Sequence, residues 1–392
     1  MPQLSNRLDG FTESIIRKMT RVARQYGAIN LSQGFPDFDP PRELTEELAR
    51  AAAEGPHQYE ITWGSALFRE KLAAKQSRWM GVPIDPETNI VVTCGSTEAM
   101  MAAMMTVCNP GDKVIVFSPF YENYTADAIL TGVIPIYVPL VPPDFRFDSG
   151  ELRRAFEQGV KALVLCNPSN PTGKVFTRDE LEEIARLAVE FDAFVITDEV
   201  YEHIVYAPHE HIYLASLPSM FERTLSCSSL SKTYSITGWR LGYIIGPAEI
   251  IEVSRKVHDF LTVGAAAPLQ RAAIKGLEMD DAYYRGLTQL YESKRALFLD
   301  GLDRLGLKYY RPQGAYYVLV DISEFGEPDD YKFCEWLARE IGVAAVPGSS
   351  FFREDVRRYI RFHFAKKEET LIEALRRLEK LNLYRQTGIA HH

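Results

Sequence analysis

Nothing in this sequence is apolar for long enough to cross a bilayer. The longest such segment, Ala99 to Cys108, falls far short of the roughly 20 residues a membrane helix requires. The opening residues, Met1-Pro2-Gln3-Leu4-Ser5-Asn6-Arg7, lead into no apolar stretch of the kind that marks a secretory signal, so a soluble, cytoplasmic protein is expected. Clustered basic charge is equally scarce. With a formal net charge of -9 and no long block of Lys and Arg, the chain offers no surface suited to a nucleic-acid backbone or an anionic membrane. The five cysteines, Cys94, Cys108, Cys166, Cys227 and Cys334, are widely spaced and form no CxxC pair, so they read as reduced core thiols. No strand-like run is followed by GxGxxG, which removes the fingerprint by which a nicotinamide-dependent dehydrogenase approaches a pyrophosphate. Repeats, low-complexity tracts and flexible linkers are absent as well.

What is present is enough length, 392 residues, for one large core and a second smaller one. Short β-branched runs alternate with longer helical patterns through the middle: Ile90 to Val92, Val114 to Phe117, Val133 to Val138, Leu163 to Leu165 and Phe194 to Ile196. That alternation predicts βα units and a buried, mainly parallel sheet, hence an α/β fold. Thr177-Arg178-Asp179-Glu180 precedes an apolar-periodic stretch and matches a capping box. After about residue 280 a charged amphipathic stretch, Asp281 to Leu305, leads to strand-like runs at Tyr316 to Val320 and Tyr359 to Phe364, the pattern of a separate α+β unit. Near the start, Gly34-Phe35-Pro36-Asp37-Phe38-Asp39-Pro40-Pro41 carries too many prolines for regular structure and predicts an ordered loop.

In a doubly wound sheet, ligands gather beyond the carboxyl ends of the strands. There, Thr93-Cys94-Gly95-Ser96-Thr97-Glu98 would open a helix with free N–H groups and hydroxyls, a candidate phosphate site. Cys166-Asn167-Pro168-Ser169-Asn170-Pro171-Thr172-Gly173 is dense in turn-forming residues. Thr197-Asp198-Glu199-Val200-Tyr201 puts a carboxylate at a strand end, where burial calls for a cationic partner such as a protonated ring nitrogen. Finally, Lys232 sits among small hydroxyl residues in Ser228 to Arg240, an arrangement suited to a phosphate between Ser229 and Arg240 with the lysine over an aldehyde.

Five segments in order, Gly34-Phe35-Pro36-Asp37, Tyr59 with Gly64, Asn170-Pro171-Thr172-Gly173, Asp198-Glu199-Val200-Tyr201 and Ser229 to Arg240, resemble the aspartate-aminotransferase superfamily. This is fold type I of the pyridoxal 5'-phosphate (PLP) enzymes, here in its prokaryotic and kynurenine-aminotransferase-like branch, and the resemblance runs from Gly34 to the C-terminal helix. It implies a large PLP-binding domain over residues 46–284 with a seven-stranded sheet. Residues 1–45 would form an arm and part of the small domain completed by 285–392. It further implies that Lys232 carries the cofactor as a Schiff base and moves the substrate proton, that Asp198 pairs with the pyridine nitrogen, and that Tyr201 and Asn170 bond the phenolic oxygen. Tyr121 would stack on the ring. Ser96, Thr97, Ser229 and Arg240 would hold the phosphate, joined by Tyr59 from a neighbouring subunit, so a homodimer is implied. Arg361 would grip the substrate α-carboxylate, with Gly34 closing over it. The alternative for Arg361 is membership of a solvated set with Arg353, Arg357 and Arg358.

The resemblance leaves the substrate side chain open. Where aspartate-specific relatives carry a lysine, the matching position is Thr97, which weakens a dicarboxylate-only reading. Ile15, Ile16, Phe35, Trp63 and Tyr124 would favour neutral or aromatic amino acids if they line the pocket. The expected activity is ping-pong transfer between an amino acid and a 2-oxo acid. Aspartate transamination and β-elimination C–S lysis remain alternatives on the same fold. A non-catalytic PLP-binding regulator is disfavoured by the lack of a helix-turn-helix segment and a basic face.

Overall fold

A computed structural model describes residues 2, 4–6, 10 and 13–385, so part of the opening heptapeptide and residues 386–392 of the expected C-terminal domain lie outside the described residues. In chain order the strands are β1 (Ile29–Asn30), β2 (Ile90–Thr93), β3 (Lys113–Ser118), β4 (Ile134–Pro139), β5 (Val160–Cys166), β6 (Phe194–Asp198), β7 (Thr224–Ser229), β8 (Gly242–Ile245), β9 (Lys308–Tyr310), β10 (Tyr317–Asp321), β11 (Val343–Ala344), β12 (Val346–Pro347) and β13 (Tyr359–His363). Seven of them form the central sheet in the order β2-β8-β7-β6-β5-β3-β4. β8 is antiparallel to both its neighbours, β2 and β7, and every other pairing is parallel. Helices cover both faces, so strands such as β2 and β6 are buried almost throughout, which is why they read as unbroken apolar runs.

One strand of this sheet, β7, carries no such signal, and β8 (Gly-Tyr-Ile-Ile) is apolar but only four residues long. β7 is Thr-Leu-Ser-Cys-Ser-Ser, polar in composition yet buried at every position, because it lies in the middle of the sheet between β6 and β8. Tertiary burial overrides the weak local pattern.

A second, antiparallel sheet has the order β12-β13-β10-β9, and β1 pairs in parallel with β11, which ties the segment before the central sheet to the segment after it. The helix Asp281–Arg304 packs against the helix Glu368–Leu378 beside this sheet. Thr177 and Glu180 form the capping box of the helix Arg178–Glu190, each side chain taking the other's free backbone N–H. Residues 34–41 form no helix or strand, and the loop is held by named bonds. Asp37 accepts from the Lys367 amide and from Thr370 Oγ1 (2.8 Å), and Lys366 Nζ donates to the Phe35 carbonyl at 3.2 Å. Among the described residues no helix is long and apolar enough to cross a membrane. All five cysteines are free; Cys94 and Cys166 are only half-buried, packing against the core on one side and lining the cavity described next on the other.

Candidate active site

Because β3, β5, β6 and β7 run in parallel, the residues following Ser118, Cys166, Asp198 and Ser229 emerge along one edge of the sheet. The same edge carries the turn after β2 and the residues entering β8. There a cavity of about 1390 Å³ gathers Gly34, Ser96, Thr97, Tyr121, Asn170, Asp198, Tyr201, Ser229, Lys232, Arg240 and Arg361. Tyr59 is not among its lining residues; its side chain is 86% exposed.

One end of the cavity is shaped for an anion. The helix Ser96–Val107 starts directly after Gly95 with no side-chain cap, leaving its first N–H groups beside the Ser96 and Thr97 hydroxyls. Arg240 lies against Gly95, and Gly95 in turn lies against Gly242. A Cβ on Gly95 would overlap the guanidinium, and one on Gly242 would overlap the Gly95 backbone. Gly95 has φ +85°, which only glycine adopts without strain. Arg240 is itself held in a left-handed conformation (φ +55°), with Nη1 donating to the Thr237 carbonyl at 3.0 Å. Ser229 Oγ accepts from the Ser231 amide at 3.3 Å, while Ser231 Oγ is buried with no partner.

Deeper in, Asp198 ends β6. Its Oδ2 accepts from Tyr124 Oη at 2.7 Å, and its Oδ1 is buried with no partner. Burial pushes this carboxyl up to about 6, opposed by the Tyr124 hydroxyl, the Val200 amide and the Lys232 charge. Lys232 Nζ donates to the Gly34 carbonyl at 3.3 Å and sits 5.9 Å from the centre of the Tyr316 ring. Burial, reinforced by Arg240, brings its pKa down to about 8, against the pull of Asp198. The shift brings the neutral, nucleophilic amine closer to reach at neutral pH than in a solvated lysine. Tyr201 Oη is 2.8 Å from Tyr317 Oη, and burial pushes both phenols up.

At the far side Arg361, on β13, has no exposed surface, unlike the exposed Arg353, Arg357 and Arg358. Its guanidinium lies between the Tyr317 and Phe351 rings, 4.3 and 4.6 Å from their centres. Nη1 donates to Asn170 Oδ1 at 2.6 Å and Nη2 to the Ser32 carbonyl at 2.8 Å, but Nε has no partner. Neither hydrogen-bond acceptor is an anion, and burial lowers its pKa. A buried cation with no anionic partner has the chemistry to accept a carboxylate.

The side-chain pocket needs correction. Ile15, Ile16 and Phe35 line the cavity, whereas Trp63 packs into the core beneath the Arg255 guanidinium, 4.9 Å away. Tyr124 is buried behind Asp198 as its hydrogen-bond donor. Tyr317 passes unnoticed in the sequence as one more residue of an apolar run. In the fold it bonds Tyr201, covers Arg361 and packs so tightly on Gly34 that a Cβ there would collide with it. The residues present fit PLP: the bare Asp198 oxygen faces a site for a protonated ring nitrogen, and the Gly95 turn with Arg240 suits a phosphate monoester.

The model of the family "aminotransferase class I and II" matches residues 26–378. Over 388 residues the chain is 38% identical to the probable N-succinyldiaminopimelate aminotransferase of Mycobacterium tuberculosis, spanning 96% of this chain and 98% of that one. It is 39% identical over 369 residues to the methionine aminotransferase of Escherichia coli, spanning 94% and 96% of the two chains. The solved structure of N-succinyldiaminopimelate aminotransferase from Mycobacterium tuberculosis is similar with a TM-score of 0.93 at 38% identity, over 97% of this chain and 100% of that one. The chain belongs to the class I and II aminotransferases, PLP-dependent enzymes that transfer amino groups.

Proposed function

We propose that this protein exchanges the amino group between a neutral or aromatic L-amino acid and a 2-oxo acid by a ping-pong route. The observation that carries the reading is a half-buried lysine with a depressed pKa sharing one cavity with a half-bare carboxylate and an uncompensated guanidinium. PLP, when bound, supplies the electron sink for the carbanion at the substrate Cα. Arg361 binds the α-carboxylate with its planar fork and so fixes the Cα–H bond in orientation, while Gly34 lets the loop approach Tyr317 closely enough to close the site. Lys232 Nζ, with a pKa near the working pH, holds the cofactor and then takes and returns the Cα proton.

Asp198 keeps the ring nitrogen protonated, supported by Tyr124. Asn170, whose Oδ1 is committed to Arg361, has its amide N–H groups left for the phenolic oxygen, beside the Tyr201 hydroxyl. Tyr121 provides the stacking face. Ser96, Thr97, Ser229 and Arg240 anchor the phosphate. The exposed Tyr59 is available to a second subunit, consistent with a homodimer whose sites are completed across the interface. Residues 46–284 act as the cofactor domain, and 1–45 with 285–392 as the smaller one, joined through the β1–β11 pairing. Five free thiols accord with the cytoplasm.

Apolar lining by Ile15, Ile16 and Phe35, together with Thr97 in place of a lysine, supports a neutral or aromatic donor. A relative named as a methionine aminotransferase supports the neutral donor, whereas the one named for N-succinyldiaminopimelate bears the name of an acidic donor. The test is a product panel: each of a set of amino acids is incubated with the PLP-loaded protein and a 2-oxo acid. The expected result is a new 2-oxo acid and a new amino acid in equal amounts, with methionine or an aromatic donor fastest. Ammonia in place of a new amino acid would instead make this a lyase, and aspartate as the fastest donor would overturn the substrate class.

A further inference from the structure

Asp127 is a carboxyl group for which the proposed reaction has no use. It lies on the helix Asn123–Thr131, three residues after Tyr124, so the two side chains share a face. From that face Tyr124 reaches Asp198. Asp127 lines the same cavity as Asp198, is 3% exposed, and its Oδ2 is buried with no hydrogen-bond partner.

The elements packed around it bring no cation. The helix Ser96–Val107 contributes Glu98 as its sole ionisable side chain and β4 contributes Tyr137; beyond them, Asp198 on β6 and Cys227 on β7 feel its charge, the thiol being pushed up by burial and then by Asp198, Glu199 and Asp127. The two carboxyls are thus unequally served. Asp198 has the Tyr124 hydroxyl, the Val200 amide and the Lys232 charge, and Asp127 has none of these.

We propose that Asp127 is a positioning residue for the ring-nitrogen end of the cofactor site: it and Asp198 hold one proton between them, Asp127 keeps it as a neutral acid, and the single negative charge is confined to Asp198. Pairs of titratable groups driven apart by their surroundings divide acid and base roles in this way. The electrostatics agree. Burial first, and the Asp198 charge second, push Asp127 up to about 8, while Asp198 stops at about 6. The inference rests on Asp198 being the ring-nitrogen partner, and its test separates the two.

The experiment is infrared spectroscopy of the full-length, PLP-loaded protein from pH 6 to 9, with PLP dissociation constants measured on the same samples, for wild type, Asp127→Asn and Asp198→Asn. The wild type is expected to show a protonated carboxylic-acid band at pH 7 that Asp127→Asn lacks. Asp198→Asn should retain it at pH 6 and lose it on raising the pH with a midpoint lower by roughly one pH unit than in the wild type, because the like charge is gone. Asp127→Asn, a neutral isostere, should keep the PLP dissociation constant within about threefold. A pH 7 acid band unchanged in Asp127→Asn, a midpoint unmoved by Asp198→Asn, or PLP affinity lost in Asp127→Asn as severely as in Asp198→Asn would each overturn the proposal. The Asp198 reading fails by a different result, unaltered PLP affinity in Asp198→Asn.

Discussion

Two lysines drawn away from solvent, Lys75 buried and Lys232 half-buried, are treated in opposite ways. Lys75 Nζ lies 3.2 Å from Glu202 Oε1, and Glu202 also accepts from Gln76 Nε2 at 3.0 Å, Tyr213 Oη at 2.6 Å and Tyr243 Oη at 3.3 Å. Burial alone would raise the Glu202 pKa, but Lys75, His203 and these donors more than offset it and hold the carboxylate ionised. Lys232 meets one carbonyl and no carboxylate within bonding distance, and around it Arg361 Nε and Asp198 Oδ1 are unpartnered. The first cluster is closed, with each charge matched from within the chain. The second is open, and its unmatched charges are complementary to a carboxylate, a phosphate and a protonated ring. The difference teaches that a buried charge reports function here only where the fold withholds its partner.

The comparison can be broken from either side. The largest effect is expected at the open cluster: Lys232→Ala should lower turnover by at least roughly 10⁴-fold, since it removes both nucleophile and base, while dialysis still finds PLP bound through its phosphate. Near-normal turnover in that variant would end the assignment. In the closed cluster, Lys75→Met should cost about 3–5 kcal/mol in urea unfolding, because Glu202 is left as an uncompensated buried charge. A loss below about 1 kcal/mol would mean that the network matters little to stability.

Arg361→Ala should reduce kcat/KM by about 10²–10³-fold for every substrate alike, the penalty of removing one side of a buried charge pair. A loss confined to one amino acid would contradict its α-carboxylate role. The smallest effect concerns pH. In the proposed role Asp198 pairs with the ring nitrogen only when ionised, and burial holds its pKa at about 6, so PLP affinity should fall as the pH drops below that value. The same raised pKa means that the folded, PLP-free protein binds a proton that the unfolded chain releases between about pH 4 and 6, so this group costs stability as pH rises through that window. Tyr124→Phe removes the opposing donor and should move the fall in PLP affinity to higher pH, as read by a fluorescence titration.

The catalytic edge was legible because each of its polar segments interrupts an apolar run at a strand end, as in Ile196-Thr197-Asp198 and Leu165-Cys166-Asn167. The strand β7 was not, since Ser226, Ser228 and Ser229 are buried by position in the sheet rather than by hydrophobicity, and β8 offers only four residues, Gly-Tyr-Ile-Ile. Tyr124 and Trp63 show the limit for side-chain pockets: loop proximity in sequence says nothing about direction, and one proved to brace Asp198 while the other packs into the core. Asp127 reads as an ordinary helical acid until the fold reveals that no cation reaches it. Tyr59 stands apart: the place proposed for it in a second subunit's site has no counterpart in a single chain, where its side chain is exposed.

The most direct measurement is the visible absorption spectrum of the PLP-loaded protein during alternate additions of one amino acid and one 2-oxo acid. Amino-group transfer predicts that the cofactor band bleaches with the amino acid, stays bleached after the new oxo acid is removed, and returns in full on adding a fresh 2-oxo acid. A band that persists while ammonia accumulates, or one that bleaches and cannot be restored by any oxo acid, would contradict it.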